Sequence, residues 1–124
     1  MKQLLIVDDA ATVRMYHRGI LEAAGYGVDE AVNGVEALEK AFARNYDLYL
    51  VDVNMPKLDG YGFVRELRGH AHMAQAPAVM ISTEAETRDQ SKAFEAGANC
   101  YLIKPARPER LLAYVRTLLG EPQP

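Results

Sequence analysis

Five short apolar runs, each followed by a stretch with helical periodicity, constrain the fold of this chain more than any other feature. An apolar run without polar alternation is typical of a strand that is covered on both faces. Such strands form parallel sheets, whose crossovers are usually helical and almost always right-handed. The runs are Leu4 to Val7, Gly27 to Ala31 (the weakest), Asp47 to Val51, Ala78 to Ile81 and Tyr101 to Ile103. The pattern therefore predicts an α/β fold, a doubly wound five-stranded parallel sheet with five helices.

The helical stretches carry residues that mark where a helix begins or ends. Asn33 with Glu36 three residues later is typical of a helix N-terminal cap, and Pro108 suits the first turn of the last helix. Gly25 and Gly120 favour termination of the first and last helices. The predicted helices run from Val13 to Ala24, from Asn33 to Phe42, from Asp59 to Leu67, from after Thr83 or Glu84 to Gly97, and from Pro108 to Leu119.

Length and composition are those of one ordinary globular domain. The chain has 124 residues, of which 49% are apolar and 25% charged, and no apolar stretch approaches the roughly 20 residues that a membrane helix needs. We expect residues 1–120 to form the domain and residues 121–124 to be a disordered tail or the stub of a linker. The chain starts without the pattern of a secretory signal, which favours a cytoplasmic protein without membrane insertion.

Charge and cysteine content exclude some classes of partner and site. The net charge of −3 at pH 7 disfavours direct binding of nucleic acid, which needs a basic surface. The single cysteine, Cys100, excludes an intrachain disulfide and a multi-cysteine metal site, and we interpret it as a strand residue.

Two of the predicted strands end in acidic residues. Asp8 and Asp9 follow the first run, and Asp52 follows Leu48 to Val51. Because the carboxyl ends of parallel strands meet at one edge of the sheet, we expect these three carboxylates to lie close together. Two carboxylates about 5 Å apart repel by roughly 3 kcal/mol at an effective dielectric constant of about 20. Oxygen ligands without a nearby Cys or His favour Mg²⁺ as the compensating cation, and bound Mg²⁺ often also contacts a phosphate oxygen.

Two further strands also end in polar or charged residues, Ser82 with Thr83 and Lys104. A carboxylate beside a metal can attack phosphorus and form an aspartyl phosphate, which makes Asp52 the candidate nucleophile. The ammonium of Lys104 is suited to pair with the carboxylates at rest and with a phosphoryl oxygen later. The sequence thus favours magnesium-assisted phosphoryl transfer at this edge of the sheet.

Each of these residues, taken alone, also has a plainer interpretation. Asp52 could cap a turn, Asp9 could be the N-cap of the first helix, and Lys104 could be a solvated charge. Their convergence exceeds what capping requires, so we favour the functional interpretation. Pro105 leaves open a cis peptide bond after Lys104.

Together the motifs resemble the ordered signature of the receiver domain of two-component response regulators, over essentially the whole chain. The matching segments are Val7-Asp8-Asp9, Leu50-Val51-Asp52-Val53-Asn54-Met55-Pro56, Asp59-Gly60, Ser82 and Lys104-Pro105. The resemblance implies a flavodoxin-like sheet with strand order 2-1-3-4-5. It also implies a phosphoacceptor switch, with self-dephosphorylation only, rather than an enzyme that acts on outside substrates.

The resemblance assigns a role to each acidic residue. Asp52 is the phosphoacceptor, and Asp9, Asp52 and the backbone carbonyl of Asn54 surround Mg²⁺. Asp8 acts through bound water or through its place in the acidic pocket, and Lys104 contacts the phosphoryl group.

The same resemblance implies how phosphorylation is read out. Ser82 is the switch hydroxyl that bonds a phosphoryl oxygen, and Tyr101 is the aromatic ring that repositions with it. Asn54 and Glu84 flank the site and influence the access of water. The partner surface is expected around the fourth helix, fifth strand and fifth helix, with Arg88, Lys92, Tyr101 and Tyr114.

Within the family, the chain is most similar to stand-alone chemotaxis regulators of the CheY type. Ala106 stands where such relatives often carry phenylalanine, and Thr83 replaces a smaller residue beside the switch. The expected partners are a sensor histidine kinase or a histidine phosphotransfer protein, together with a downstream target protein, and the chain is expected to be a monomer.

Other functions remain open at this point. A phosphorelay intermediate or a scaffold would use the same chemistry in another pathway. A phosphatase that works through an aspartyl phosphate would need a second acid-base residue near Asp52. A flavodoxin-like cofactor carrier would place a flavin phosphate near Asp8 and Asp9, which repel it.

Overall fold

Strands and helices alternate strictly along the chain in the structure, a computed structural model that describes residues 1–71, 73, 75–84 and 86–122. The strands are β1 (Gln3–Val7), β2 (Gly27–Ala31), β3 (Leu48–Asp52), β4 (Ala78–Ser82) and β5 (Cys100–Ile103). The helices are α1 (Ala11–Ala23), α2 (Gly34–Ala43), α3 (Gly60–Gly69), α4 (Thr87–Ala96) and α5 (Pro108–Leu118).

The five strands form one parallel sheet in the order β2-β1-β3-β4-β5. This confirms the predicted α/β class, the strand number and the order 2-1-3-4-5. β2 pairs with one side of β1, and β3 pairs with the other side, followed by β4 and β5. The strand order therefore reverses between β1 and β3, and in such sheets ligands bind at the carboxyl ends of the strands beside this point.

The hydrophobic core has two parts, one on each face of the sheet. Successive side chains of a strand point to opposite faces. Leu4 of β1 thus packs in one cluster with Leu21 of α1 and Leu111 of α5, while Leu5 packs in the other with Phe63 of α3. These five side chains are fully buried, and each such burial contributes about 1.5 to 3 kcal/mol. Because both faces of β1 are covered, its residues form a continuous apolar run.

Side-chain caps begin the second and third helices where the sequence predicts. The Asn33 Oδ1 atom accepts a hydrogen bond from the Glu36 amide at 2.9 Å, and the Glu36 carboxylate accepts one from the Val32 amide at 3.0 Å. Asp59 caps α3 by accepting a hydrogen bond from the Gly62 amide at 2.8 Å. Both caps satisfy backbone donors that the first turn of a helix leaves free.

The fourth helix begins later than predicted. It starts at Thr87 with Glu86 as the N-cap residue, not directly after Thr83 or Glu84. The Glu84 amide instead donates to the Ser82 hydroxyl at 3.0 Å, and the Glu84 carbonyl accepts from the Tyr101 hydroxyl at 2.8 Å. These two contacts hold the backbone of Glu84 outside a helix.

The first helix also begins differently from the plainer interpretation of Asp9. Its N-cap residue is Ala10, and the Asp8 Oδ1 atom accepts a hydrogen bond from the Ala10 amide at 2.9 Å. The side chain of Asp9 is exposed and is not the cap.

Several smaller predictions also have an outcome in the structure. The peptide bond between Lys104 and Pro105 is cis, and Cys100 is a residue of β5. Of the predicted tail, Gln123 and Pro124 lie outside the described residues, whereas the Glu121 carboxylate accepts a hydrogen bond from the Tyr26 hydroxyl. Within the described part of the chain, no helix has the length and apolar character needed to cross a membrane.

Candidate functional site

Polar residues from four strands meet at the carboxyl edge of the sheet. Asp52 and Ser82 are the last residues of β3 and β4, while Asp8 and Lys104 directly follow β1 and β5. The parallel register places Asp52 beside Ile81 and Ser82 beside Ile103. The convergence that the strand ends predicted is therefore present in the structure.

Lys104 links two buried carboxylates. Its Nζ atom donates to the Asp52 Oδ1 atom at 2.8 Å and to the Asp8 Oδ2 atom at 3.0 Å. Asp8 is 1% exposed and Asp52 is 6% exposed, so both ion pairs are largely shielded from water. Charge-assisted hydrogen bonds of this kind are shorter and stronger than neutral ones.

The negative charge at the site exceeds what Lys104 neutralises. Burial raises the pKa of Asp52, the hydrogen bond from Lys104 opposes this, and the charges of Asp8 and Asp9 raise it further. Burial by itself lowers the pKa of Lys104, but its bonds to Asp52 and Asp8 outweigh burial and raise it. The ammonium of Lys104 bonds two of the three carboxylates, Asp8 and Asp52, and among the described residues no second positive group is bonded to them. The arrangement favours binding of an additional cation.

The carboxylates of Asp8, Asp9 and Asp52 fit a hard divalent cation. One oxygen from each residue lies within 4.8 Å of the others, and Asp9 is exposed to solvent while the other two are buried. Mg²⁺ prefers oxygen ligands and retains several waters, so an open side of the site suits it. The donor set and the unbalanced charge therefore fit the predicted Mg²⁺.

Contacts to the backbone at the ends of β1 and β3 fix the residues that carry the acidic side chains. The guanidinium of Arg14 on α1 donates to the Asp8 carbonyl at 2.8 Å and to the Glu30 carboxylate at 2.7 Å. The Gly60 amide at the start of α3 donates to the Val53 carbonyl at 2.9 Å. A Cβ atom at Gly60 would collide with the carbonyl of Asp52, so only glycine allows α3 to approach the end of β3 this closely.

The predicted switch residues are connected through Glu84. Ser82 is buried, and its hydroxyl accepts a hydrogen bond from the Glu84 amide at 3.0 Å. The Tyr101 hydroxyl donates to the Glu84 carbonyl at 2.8 Å. A movement of the Ser82 hydroxyl would therefore disturb the same residue that holds Tyr101.

Both residues that are predicted to flank the site lie on the surface. Asn54, which follows Asp52 by two residues, and Glu84 both have exposed side chains. The structure describes their positions but tests neither their influence on water nor the role of the Asn54 carbonyl, and these roles stay predictions.

His17 lies near the site, but the sequence patterns above did not identify it as a candidate. It is 2% exposed, and its Nδ1 atom has no hydrogen-bond partner. Burial lowers its pKa, and the charges of Asp8 and Lys104 act on it in opposite directions. Its position four residues after Val13 and four before Leu21 is on the apolar face of α1, which is the signal that would have located it.

The comparisons with known proteins agree with this fold. The family model described as the response regulator receiver domain matches residues 4–116. The chain therefore belongs to the receiver-domain family of two-component response regulators.

Several relatives define this similarity more closely. The chain is 38% identical over 117 residues to the transcriptional regulatory protein ResD of Bacillus subtilis, which covers 94% of this chain and 48% of ResD. The chain thus spans about half the length of that curated relative. The chemotaxis response regulator CheY4 of Vibrio cholerae superposes with a TM-score of 0.89 at 35% identity, over 95% of this chain and 98% of CheY4.

A third relative carries a metal ion. The receiver domain of the sensor histidine kinase PA1611 of Pseudomonas aeruginosa has a TM-score of 0.89 at 28% identity, over 97% of this chain and 98% of that domain. That structure contains a magnesium ion coordinated in its active site cleft.

Proposed function

We propose that this receiver domain accepts a phosphoryl group on Asp52 from a histidine kinase or a histidine phosphotransfer protein, and then binds a downstream target protein. The observation that carries the proposal is the buried Asp52 carboxylate, bonded to Lys104 at 2.8 Å and clustered with Asp8 and Asp9. A purely structural strand end would not need a cluster of three carboxylates of which one lysine bonds only two, because their mutual repulsion destabilises the fold.

The residues that would hold Mg²⁺ are Asp9, Asp52 and the Asn54 backbone carbonyl, with Asp8 acting through water. When bound, Mg²⁺ supplies positive charge to the oxygens of the transferring phosphoryl group. The magnesium ion in the active site cleft of the PA1611 receiver domain supports the proposal of Mg²⁺ as the ion.

In the proposed reaction, a carboxylate oxygen of Asp52 attacks the phosphorus of a phosphohistidine. The new O–P bond forms as the P–N bond breaks, and the leaving imidazole takes up a proton. Lys104 already contacts Asp52, and its ammonium stabilises a phosphoryl oxygen after the transfer. The protein's contribution is thus positioning and charge, which is typical of phosphoryl transfer.

The phosphoryl group adds about −1.5 to −2 charge and three strong acceptor oxygens at the end of β3. The Ser82 hydroxyl then donates to one of these oxygens instead of only accepting from the Glu84 amide. The shift moves Glu84, whose carbonyl holds the Tyr101 hydroxyl. Tyr101 is only partly buried, so its ring conveys the change to the surface.

The target protein is proposed to bind the surface of α4, β5 and α5. A groove of about 590 Å³ opens there, and its lining includes Tyr101, Ile103 and Tyr114 together with Lys104, Arg107 and Arg110. Aromatic and arginine side chains are enriched in protein interfaces. Arg88 and Lys92 of α4 are exposed and extend the positive charge of this surface.

The proposed role is a signalling switch in the cytoplasm, monomeric before activation, rather than an enzyme with external substrates. Motility control is the proposed pathway because of the similarity to CheY4. A phosphorelay intermediate would use the same site and remains the second candidate, supported by the similarity to a receiver domain of a sensor histidine kinase.

Intact mass measurement tests the phosphoacceptor. The protein is incubated with Mg²⁺ and acetyl phosphate, and we expect one added phosphoryl group that is lost in mild base. Asp52→Asn should remain unlabelled. Asp59→Asn is the matched control, because it removes an acid from the same edge while asparagine still caps α3. Full labelling of Asp52→Asn would contradict the proposal, as would the absence of any adduct on the wild-type protein.

A further inference from the structure

The strand β5 lies at one edge of the sheet, with β4 as its neighbour. In a parallel pair, alternate residues of a strand direct their backbone groups toward the neighbouring strand. The Lys104 amide donates to the Ser82 carbonyl at 2.8 Å, so the backbone groups of Tyr101 and Ile103 point away from β4. These residues present two N–H and two C=O groups that the sheet does not use. Such an edge is a template for one more strand.

The other edge strand, β2, is protected by charged side chains. The Glu30 carbonyl of β2 accepts a hydrogen bond from the Lys40 ammonium, and the Glu30 carboxylate is paired with Arg14 and Arg18. Natural proteins commonly block edge strands with charges, and with lysine in particular. In β5, by contrast, Ile103 is an apolar residue that is 40% exposed. The edge of β5 is therefore the one that is open to a partner.

A groove of about 590 Å³ follows this edge between α4 and α5. Its lining includes three successive residues of β5, Tyr101, Leu102 and Ile103. Successive side chains of a strand point to opposite faces, and Leu102 is only 2% exposed. The groove thus borders the backbone of β5 itself and not only one face of the strand, as the docking of an added strand requires.

The charge of the groove indicates what kind of segment it binds. Among the described residues, the lining includes Lys104, Arg107 and Arg110 and no acidic side chain. The Lys104 ammonium is already bonded to two buried carboxylates, so the available charge is that of the two exposed arginines. The Arg110 guanidinium lies 5.7 Å from the ring centroid of Tyr114, which places an aromatic surface beside this charge. Electrostatic complementarity favours a partner segment that carries carboxylates.

We propose that the target protein docks through an extended acidic segment, which adds to β5 as a sixth strand and pairs with the backbone of Tyr101 and Ile103. The carboxylates of the segment contact Arg107 and Arg110. This inference deepens the proposed function, because that function places a target on this surface. The edge is open in the absence of a phosphoryl group, so strand addition is testable on the unphosphorylated protein, separately from the labelling of Asp52.

The probe is a capped hexapeptide, Ac-EVEVEV-amide, in which acidic and apolar residues alternate as in a half-exposed strand. The matched control is Ac-KVKVKV-amide, which has the opposite charge. Each peptide is titrated into the ¹⁵N-labelled protein, and amide shifts and amide hydrogen exchange are followed by NMR.

We expect saturable shifts along β5 with the acidic peptide only, and weaker binding as salt is added. Hydrogen exchange should slow at the Tyr101 and Ile103 amides, which gain a partner. Exchange at the Lys104 amide should change little, because this amide already donates to Ser82.

Two variants test the charge of the groove. Arg107→Glu and Arg110→Glu should each lower the affinity for the acidic peptide roughly three- to tenfold, because each replaces an attraction by a repulsion. Arg65→Glu is the control, since Arg65 is an exposed arginine of α3 outside the groove, and it should leave the affinity unchanged. The two peptides and the salt dependence need only the wild-type protein, so the test remains decisive if a variant does not fold.

The proposal is overturned if the acidic peptide causes no saturable shifts, if the Tyr101 and Ile103 amides exchange as before, or if the lysine peptide binds equally well. Dimerisation through β5 without peptide would also overturn it, because a second copy would then occupy the edge. A protein that is labelled on Asp52 but does not bind the peptide refutes this inference and leaves the phosphoacceptor role intact. A protein that binds the peptide but takes no label refutes the phosphoacceptor role alone.

Discussion

The crowding of carboxylates at the sheet edge makes a quantitative prediction for Asp9→Asn. The carboxylate oxygens of Asp8, Asp9 and Asp52 lie within 4.8 Å of one another. At that separation, each pair of charges repels by about 0.9 kcal/mol in bulk water and by about 3.5 kcal/mol at an effective dielectric constant of 20. Because Asp9 is exposed, the lower value is the appropriate one.

Asp9 has two such neighbours, and salt screens exposed charges further. We therefore expect Asp9→Asn to raise the free energy of unfolding without Mg²⁺ by about 0.5 to 1.5 kcal/mol. With Mg²⁺ the order should reverse, because a ligand that binds only the folded state stabilises it by about 2.7 kcal/mol at 100 times its Kd. The variant lacks one carboxylate ligand and gains much less from the same concentration.

The assay is urea unfolding of both proteins in EDTA and at increasing Mg²⁺ concentration, with Asp59→Asn as a control for the loss of one surface acid. The two stability curves of wild-type protein and Asp9→Asn should cross as Mg²⁺ is added. A variant that is less stable than the wild-type protein in EDTA would refute the electrostatic reasoning. An equal gain from Mg²⁺ in both proteins would refute the place of Asp9 in the metal site.

Three other predictions concern single side chains. Tyr49 is fully buried and its hydroxyl has no hydrogen-bond partner, so Tyr49→Phe should raise the free energy of unfolding in urea by about 1 kcal/mol. Tyr46→Phe is the control, because it removes the 2.7 Å hydrogen bond from the Tyr46 hydroxyl to Asp29, and it should lower the free energy of unfolding by about the same amount. Burial lowers the pKa of His17 from its ordinary value of 6.5, so the unfolded chain binds more protons than the folded protein as the pH falls through this range. The free energy of unfolding should therefore decrease as the pH is lowered there. An unchanged pH slope in a His17→Leu variant would contradict this. Lys104→Ala should still accept a phosphoryl group and bind Mg²⁺, but the NMR shift changes that phosphorylation causes around Tyr101 should shrink.

The strand and helix order is local information, and the sequence was sufficient for it. Leu4 to Val7 forms a continuous apolar run because both faces of β1 are covered, and this periodicity depends only on backbone geometry. The meeting of Asp8, Asp52 and Lys104 follows from the same information, because parallel strands end at one edge. The residue types then indicate the chemistry.

Helix starts and loop contacts were less predictable. The start of α4 at Thr87 depends on two hydrogen bonds of Glu84, whose amide donates to the Ser82 hydroxyl and whose carbonyl accepts from the Tyr101 hydroxyl. Two of these residues are 17 positions apart. No local pattern near Thr83 shows that such a contact takes precedence over helix formation.

The sequence by itself determined the α/β class, the alternation of elements and the set of acids and lysine at the strand ends, because these depend on short-range periodicity and on the parallel direction of the strands. Only the tertiary structure decided that Lys104 bonds both Asp8 and Asp52, which precede it by 96 and 52 residues. It also decided that His17 is buried with an unpaired nitrogen. Such features depend on how α1 and the segment after β5 pack against each other, and that packing is a sum of many long-range contacts that no single stretch of the sequence encodes.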